Sequence, residues 1–237
     1  MAACASRPAW AFGPASKLDV AALRIGTVTE PRPNAWARLL HEVENSTSVE
    51  VEPRTIELEP EDPALFQHPF SVLVGTGPLP ELGERAVEQL VRYLSYGGFL
   101  FVDDATGNPR GPFVASVRQL AARMFPTRPL SPLPSDHSVY RSFFLLDEPV
   151  GRVAVTSVLE GITTGPTTPL ILSGNDVSGA LDRDAGGRDA QAVIPGGANQ
   201  RREALKLAIN LVMYSLTSTY KHDAAHVMEL IREGRLE

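Results

Sequence analysis

The stretch that decides the fold runs from residue 70 to residue 104 and reads FSVLVGTGPLPELGERAVEQLVRYLSYGGFLFVDD. Phe70–Gly75 is a short apolar run, which is typical of a strand covered on both faces of a sheet. Pro80–Tyr96 spaces its apolar residues as one face of a helix does, and a Gly-Gly pair ends that helix. Phe99–Val102 is the next strand, and two aspartates terminate it. The stretch therefore predicts two parallel strands joined by a right-handed crossover helix.

The rest of the chain continues this alternation of strands and helices. Apolar runs predict further strands over Leu18–Gly26, Ser48–Leu58 and Leu170–Ser173, the second of them at an edge. Helical spacing predicts helices that follow Asn34 and that cover Phe113–Met124, Gln200–Ser218 and His222–Glu233. This order predicts an α/β domain over residues 17–237, with an open, mostly parallel sheet and helices on both faces. In such sheets ligands bind beyond the carboxyl ends of the strands.

Composition excludes two classes of partner. The chain has 237 residues, a net charge of -6 and 43% hydrophobic residues, as an ordinary globular protein does. It contains no run of Lys and Arg that would bind a nucleic-acid backbone. It also has no apolar stretch of the roughly 20 residues needed to cross a bilayer. We therefore expect a small polar ligand or a protein partner, and the oligomeric state stays open.

The first 16 residues form a leader of small residues. Ala9-Trp10-Ala11 has the small-x-small form of a signal-peptidase site, although the stretch before it is too short for a complete signal. We expect this leader to be the remnant of an export signal, which would place the protein in the periplasm or cell envelope. A cytoplasmic location stays open as the alternative. Cys4, the only cysteine, lies in the same leader.

Residues 72–106 resemble a class I glutamine amidotransferase-like domain, especially in the strand, helix, Gly-Gly and strand of its sugar-utilisation branch. More closely, the chain is similar to a bacterial domain-of-unknown-function family, family four-one-five-nine. The stretches that carry this resemblance occur in the family's order: GGFLFVDD, LPSDHSVYRSF, LEGI, SGNDV and NLVMYSLT. The resemblance implies a class I glutamine amidotransferase-like fold, which is a flavodoxin-like three-layer sandwich.

The same resemblance removes the family's best-known chemistry. Active amidotransferases hold a cysteine in the turn after this strand and a His-x-Glu pair further on, because glutamine hydrolysis passes through an acyl-enzyme. Here the turn reads VDDATG over residues 102–107, and no His-x-Glu triplet occurs in the chain. Glutaminase activity is therefore not expected. The resemblance supplies no other activity, and the fold by itself defines none.

Asp103 and Asp104 are adjacent carboxylates at the carboxyl end of a predicted strand. Alternation along the strand points them in opposite directions, so at most one faces a cleft at full reach. Such a carboxylate could bind substrate hydroxyls, hold a hard metal ion or act as a general base, and Asp104 is the candidate base. The alternative is that one of them caps the following turn.

A second group of candidates lies in the proline-rich segment from 126 to 149. Asp136 and His137 could form a proton shuttle, and Arg141 could hold an anionic group, with Tyr140 between them. The alternative is that His137 anchors an irregular loop and that Arg141 pairs with one of the strand-end aspartates.

Asn175, Asp176 and Arg201 complete the candidate ligand-binding residues. Asn175 and Asp176 follow the last predicted strand, although an Asn-Asp pair is also common in turns. Arg201 stands just after Gly196-Gly197 at the start of a helix, where an anion could bind, or where the glycines form only a tight turn.

These observations lead to one expected cleft and two candidate functions. We expect a ligand- or partner-binding protein without glutaminase activity, with its polar cleft at the strand ends. The alternative is a hydrolase that acts on a carbohydrate or a related polar substrate, with Asp104, Asp136 or His137 in acid-base roles. No cofactor and no metal site are predicted, and a divalent metal stays possible.

Overall fold

The computed structural model describes the backbone of residues 17–26 and 30–232, and the side chains of these residues up to 218. The strands are β1 Leu18–Leu23, β2 Val51–Leu58, β3 Phe70–Gly75, β4 Phe99–Asp104, β5 Ser131–Pro132, β6 Glu160–Thr164 and β7 Thr167–Ser173. The helices are α1 Ala35–Ser46, α2 Glu84–Ser95, α3 Pro112–Met124, α4 Val177–Leu181 and α5 Gly197–Arg232.

The strands form one open sheet of seven strands in the order β2-β1-β3-β4-β7-β6-β5. β1, β2, β3, β4 and β7 pair in parallel, whereas β6 and β5 add antiparallel at one edge. The predicted unit of two parallel strands and a crossover helix is confirmed as β3-α2-β4. β5 and β6 were not predicted, because their segments mix Pro, Gly and Thr, which also favour turns.

Alternation along each strand divides the apolar core between the two faces of the sheet. In β4, Phe99 and Phe101 pack with α1 and α5, while Leu100 and Val102 pack with α2 and α3. Most residues of the central strands are buried on both sides, as strands covered by helices should be. The described part of the chain is therefore a three-layer α/β sandwich with an open, mostly parallel sheet.

The end of the chain differs from the sequence-based expectation. Two helices with a break near residue 220 were predicted, but α5 is a single helix over Gly197–Arg232. The prediction was wrong because the residues between 218 and 222 include no glycine or proline that would stop a helix.

The predicted leader, with Cys4 and Ala9-Trp10-Ala11, lies outside the described residues, so its role stays a prediction. Within the ranges that the structure describes, no helix has the length and apolar character required to cross a membrane.

Candidate functional site at the carboxyl edge of the sheet

Asp103 stands near the end of β4 and is completely buried. Its carboxylate accepts hydrogen bonds from the backbone N–H groups of Val177 and Ser178, at 3.0 and 2.7 Å, and from the Ser178 hydroxyl at 2.6 Å. Burial raises the pKa of Asp103 to about 7, the nearby Asp176 carboxylate adds to this, and the donated hydrogen bonds oppose it. Asp103 thus fixes the start of α4 to the end of β4.

Asp104 is also completely buried, but it points to the other side of the sheet. Its carboxylate accepts hydrogen bonds from the backbone N–H groups of Thr106 and Asn108, at 3.0 and 2.8 Å, and from the Thr106 hydroxyl at 2.6 Å. This arrangement is the turn-capping alternative that the sequence left open. With both oxygens occupied, Asp104 offers a substrate no accessible acceptor in this conformation.

Asn175 follows β7 and joins two segments through its side-chain amide. Its Oδ1 accepts hydrogen bonds from the backbone N–H groups of Val155 and Thr156, at 2.9 and 3.0 Å. Its Nδ2 donates to the carbonyl oxygens of Pro149 and Thr156, at 2.6 and 2.8 Å. All four hydrogen-bonding positions of the amide are therefore used within the protein.

Asp176 is completely buried and adopts a left-handed backbone conformation with φ 52°. Its Oδ1 accepts a hydrogen bond from the Gly179 N–H at 2.9 Å, which caps α4. Arg32 forms an ion pair with Asp176 at 2.9 Å, and Arg152 forms a second, very close one. Two arginines that lie far apart in the sequence therefore neutralise this aspartate.

Glu30 is a titratable residue at the same edge that the sequence analysis did not select. Its carboxylate accepts hydrogen bonds from the Arg32 backbone N–H at 2.8 Å and from Trp36 Nε1 at 3.5 Å. Burial raises the pKa of Glu30 to about 7, and these hydrogen bonds only partly oppose the effect. A carboxyl group that titrates near neutral pH can both donate and accept a proton.

Asp182, just after α4, differs from Asp103, Asp104 and Asp176, whose carboxylate oxygens all accept hydrogen bonds. It is buried, and its Oδ1 has no hydrogen-bond partner. Burial raises the pKa of Asp182, and the positive charge of Arg32 opposes that shift.

Asp136, His137, Tyr140 and Arg141 form a separate group on the loop before β6. His137 Nδ1 accepts a hydrogen bond from the Val139 N–H at 3.2 Å, and His137 Nε2 lies 3.0 Å from the hydroxyl of Thr168. Burial lowers the pKa of His137, which favours the neutral imidazole. Since Thr168 is the second residue of β7, this imidazole lies towards the amino end of the strand, whereas Asn175 and Asp176 follow its carboxyl end.

The other members of this group bind within the loop or to the residue just before β6. The Tyr140 hydroxyl accepts a hydrogen bond from the Leu159 N–H at 3.0 Å, and Arg141 donates to the carbonyl oxygen of Asp136. Within the described residues, no recorded hydrogen bond or ion pair joins this group to Asp103 or Asp104. The expected single cleft is thus divided into two groups, and the alternative pairing of Arg141 with a strand-end aspartate is not found.

Arg201 lies in the first turns of α5 and, among the described residues, has no hydrogen bond or ion pair with either group. It donates to the carbonyl oxygens of Ala180 and Gln191, at 2.5 and 2.6 Å, and forms an ion pair with Asp189 at 3.1 Å. The Gly196 N–H donates to Gln200 Oε1 at 2.9 Å, so the turn before α5 is capped by the helix itself.

An open crevice lies at the same edge, beside the ends of β1 and β2. It has a volume of about 370 Å³, and its lining includes Arg24, Ile25, Glu59, Glu61, Pro80 and Glu81. The strand order turns back at β1, whose neighbours are β2 and β3, so the crevice adjoins the topological switch point of the sheet. A small void of about 10 Å³ lined by Glu30 shares Arg24 and Ile25 with the crevice.

A second cavity, of about 320 Å³, opens at the amino edge of the sheet between Gly98, Pro166 and Ser218. Among the described residues that line it, Arg128 is the only charged one. Because open α/β sheets bind ligands at their carboxyl edge, the crevice beside β1 is the better candidate.

The described side chains include no group of three or more His, Cys, Asp or Glu residues that could hold a metal ion. Asp103 and Asp176, whose charges interact, are occupied by amide donors and by arginine. The possible divalent metal therefore stays a prediction without a ligand set.

Fold and site together define an α/β sandwich domain. Its strand-end acids stabilise the adjoining helix and turn, and its open crevice adjoins the topological switch point of the sheet. The chain belongs to the family described as Domain of unknown function (DUF4159), whose model matches residues 19–216. A comparison with curated proteins finds no match.

Proposed function

We propose that this chain is a non-catalytic binding domain with a class I glutamine amidotransferase-like fold, and that it takes a small polar ligand in the crevice beside β1. The observation that carries the proposal is the burial of Asp103, Asp104, Asn175 and Asp176, each of which makes at least three hydrogen bonds within the protein. An active site at the carboxyl ends of the strands would need these side chains to be accessible. A carboxylate that is fully buried can reach a substrate only after the segments that cover it move.

The chemistry of the crevice indicates the ligand class. Three acids, Glu59, Glu61 and Glu81, line it together with Arg24. The Glu59 carboxylate pairs with Arg24 at 2.8 Å, and Glu81 lies 4.0 Å from Arg123, which does not line the crevice. The lining itself therefore carries an excess of negative charge. Ile25 and Pro80 provide an apolar floor. This combination suits a ligand that is rich in hydroxyl groups or carries a positive charge. The volume of the crevice is within the usual range for small-ligand sites.

The experiment is a ligand-observed NMR screen of sugars, polyamines and amino acids against the full chain. Gly83 lines the crevice, and a Cβ atom at this position would meet no atom within 4 Å. We expect Gly83→Trp to fill the crevice and abolish the binding of any hit. Gly77 has equally open surroundings but does not line the crevice, so Gly77→Trp is the matched control. Hits that survive Gly83→Trp, or an absence of hits, would count against the proposal.

One observation favours a second candidate, a hydrolase for a carbohydrate or a related polar substrate. The carboxyl group of Glu30, whose pKa is raised to about 7, lines the void next to the crevice. In this alternative Glu30 replaces Asp104 and Asp136 as the acid-base group. Turnover of chromogenic glycosides that is lost in Glu30→Gln and kept in Glu88→Gln would favour the hydrolase over the binding domain.

A location in the cell envelope belongs to the same proposal and is supported by the leader sequence alone. N-terminal sequencing of the protein from its native source tests this point. A mature chain that starts upstream of Ala11 would exclude cleavage at Ala9-Trp10-Ala11.

A further inference from the structure

On the face of the sheet that α1 and α5 cover, Arg38 and Arg201 form ion pairs with Asp189, and a backbone bridge places Arg183 beside it. Arg38 belongs to α1, Arg183 follows α4, and Arg201 belongs to the first turns of α5. Asp189 comes from the polar loop between α4 and α5. Because these residues come from separate elements, the cluster is a product of the tertiary fold and not of local sequence.

The Asp189 carboxylate bridges two of the arginines. Its Oδ1 lies 3.2 Å from a terminal nitrogen of Arg38, and its Oδ2 lies 3.1 Å from Nε of Arg201. The two arginine side chains are only 14% and 13% exposed, while Asp189 is 45% exposed. The cations are therefore fixed in the protein, and the carboxylate approaches them from the solvent side.

Backbone carbonyl groups hold the three guanidinium groups in place. Arg201 donates to Ala180 and Gln191, as described above, and Arg183 donates to the Gly187 carbonyl oxygen at 2.8 Å. Arg38 donates to the Leu181 carbonyl oxygen at 3.3 Å. Such prepositioned donors lose little conformational entropy when an anion binds to them.

The cluster contains more positive charge and more donors than Asp189 satisfies. Nε of Arg38 and Nε of Arg183 are both buried and have no hydrogen-bond partner. The pKa of Arg38 is lowered first by burial and then by the positive charge of Arg183, while Asp189 and Glu42 oppose this. Buried donors without acceptors are rare in folded proteins and indicate a missing partner.

We propose that Arg38, Arg183 and Arg201 form a phosphate-binding site in which the Asp189 carboxylate occupies the anion position until phosphate displaces it. A carboxylate already binds there and leaves two donors without acceptors. A phosphate group carries up to two negative charges and more acceptor oxygens, so it matches three guanidinium groups better. The site is separate from the crevice beside β1, and it does not depend on the proposed function.

The test is calorimetric titration of the full chain with inorganic phosphate, with phenyl phosphate as a phosphomonoester and with acetate as a carboxylate. We expect Asp189→Asn to bind phosphate about tenfold more tightly than the wild type, because the competing carboxylate is gone. Adding Arg38→Gln to this variant should abolish binding. Arg85 is exposed on α2, so Arg85→Gln in the same background is the matched control and should bind normally.

The two phosphate ligands distinguish the possible natural ligands of the site. Tighter binding of phenyl phosphate would indicate a phosphomonoester, and equal binding of the two would indicate free phosphate. Acetate that binds as tightly as phosphate would overturn the proposal. Phosphate binding that is absent from Asp189→Asn, or that persists after Arg38→Gln, would also overturn it. If Arg38→Gln does not fold, as judged by circular dichroism, Arg183→Gln replaces it. Gly83→Trp should leave phosphate binding unchanged, so the two proposals fail independently.

Discussion

Replacing Glu30 with glutamine should change how the stability of the fold depends on pH. The pKa of Glu30 rises from its ordinary 4.5 to about 7, so the folded chain binds this proton more tightly than the unfolded chain does. The contribution of this proton to the free energy of unfolding is fully present below pH 4.5 and is lost as the pH rises through about 7. At about 1.4 kcal/mol per pH unit the shift is worth at most about 3 kcal/mol, and about 2 kcal/mol once solvent screening of this partly exposed group is allowed for.

The assay is urea unfolding of the wild type and of Glu30→Gln at several values between pH 4.5 and pH 8.5. As the pH rises across this range, we expect the free energy of unfolding of the variant to increase by about 2 kcal/mol relative to that of the wild type. Glutamine keeps an oxygen for the Arg32 N–H, so the backbone turn should survive. Glu88, exposed on α2, supplies the control Glu88→Gln, which should show no such trend. A difference between Glu30→Gln and the wild type that does not vary with pH would refute the reasoning.

Three further substitutions test other parts of the structure. Gly75→Ala should cost about 1–3 kcal/mol because the new Cβ would lie 2.2 Å from the Phe113 ring, whereas Gly77→Ala should cost little because nothing lies within 4 Å. Asn175→Ala should cost about 3 kcal/mol or more, because it removes a buried amide with four hydrogen bonds. The pKa of His137 is lowered by burial, so wild-type stability should fall as the pH drops below 6.5, and His137→Gln should weaken that fall.

All three are measured by urea unfolding, with the same slope against denaturant as a check on two-state behaviour. Asn45 is exposed on α1, so Asn45→Ala controls for the loss of an asparagine. Equal costs at residues 75 and 77, or equal costs at 175 and 45, would contradict the packing and hydrogen-bond arguments. An unchanged pH profile in His137→Gln would show that the imidazole does not control acid stability.

Much of the sheet could be predicted because its strands carry their own signals. Phe70–Gly75 was predicted with the bounds that the structure has, since a buried parallel strand reads as an apolar run between breaks. β6 and β5 could not be predicted, because β6 is stabilised by pairing with β7, and β5 by pairing with β6, rather than by their own pattern. The continuity of α5 was missed because helix ends are weakly encoded unless Gly or Pro marks them.

The site was harder to predict than the fold. Asp103 and Asp104 could be selected because they end a strand. Whether the Asp103 carboxylate caps a helix or faces a ligand depends on the position of α4, and the sequence spacing did not reveal that helix. Arg152 was missed because it lies in an irregular segment that only the tertiary fold brings to Asp176. A signal for Glu30 was available, since Glu30 and Arg32 closely follow the first strand at the predicted carboxyl edge.

The two outer strands limit how another molecule can attach to this sheet. β5 has only two residues, one of them Pro132, so it presents almost no unpaired backbone. β2 is longer, but it contains Pro53, and its pairing with β1 shifts register between Leu18 and Val20. Neither margin offers the straight row of amide and carbonyl groups that an incoming strand needs. A partner protein must therefore recognise helices, loops or side chains, and stacking of sheets edge to edge into fibres is disfavoured.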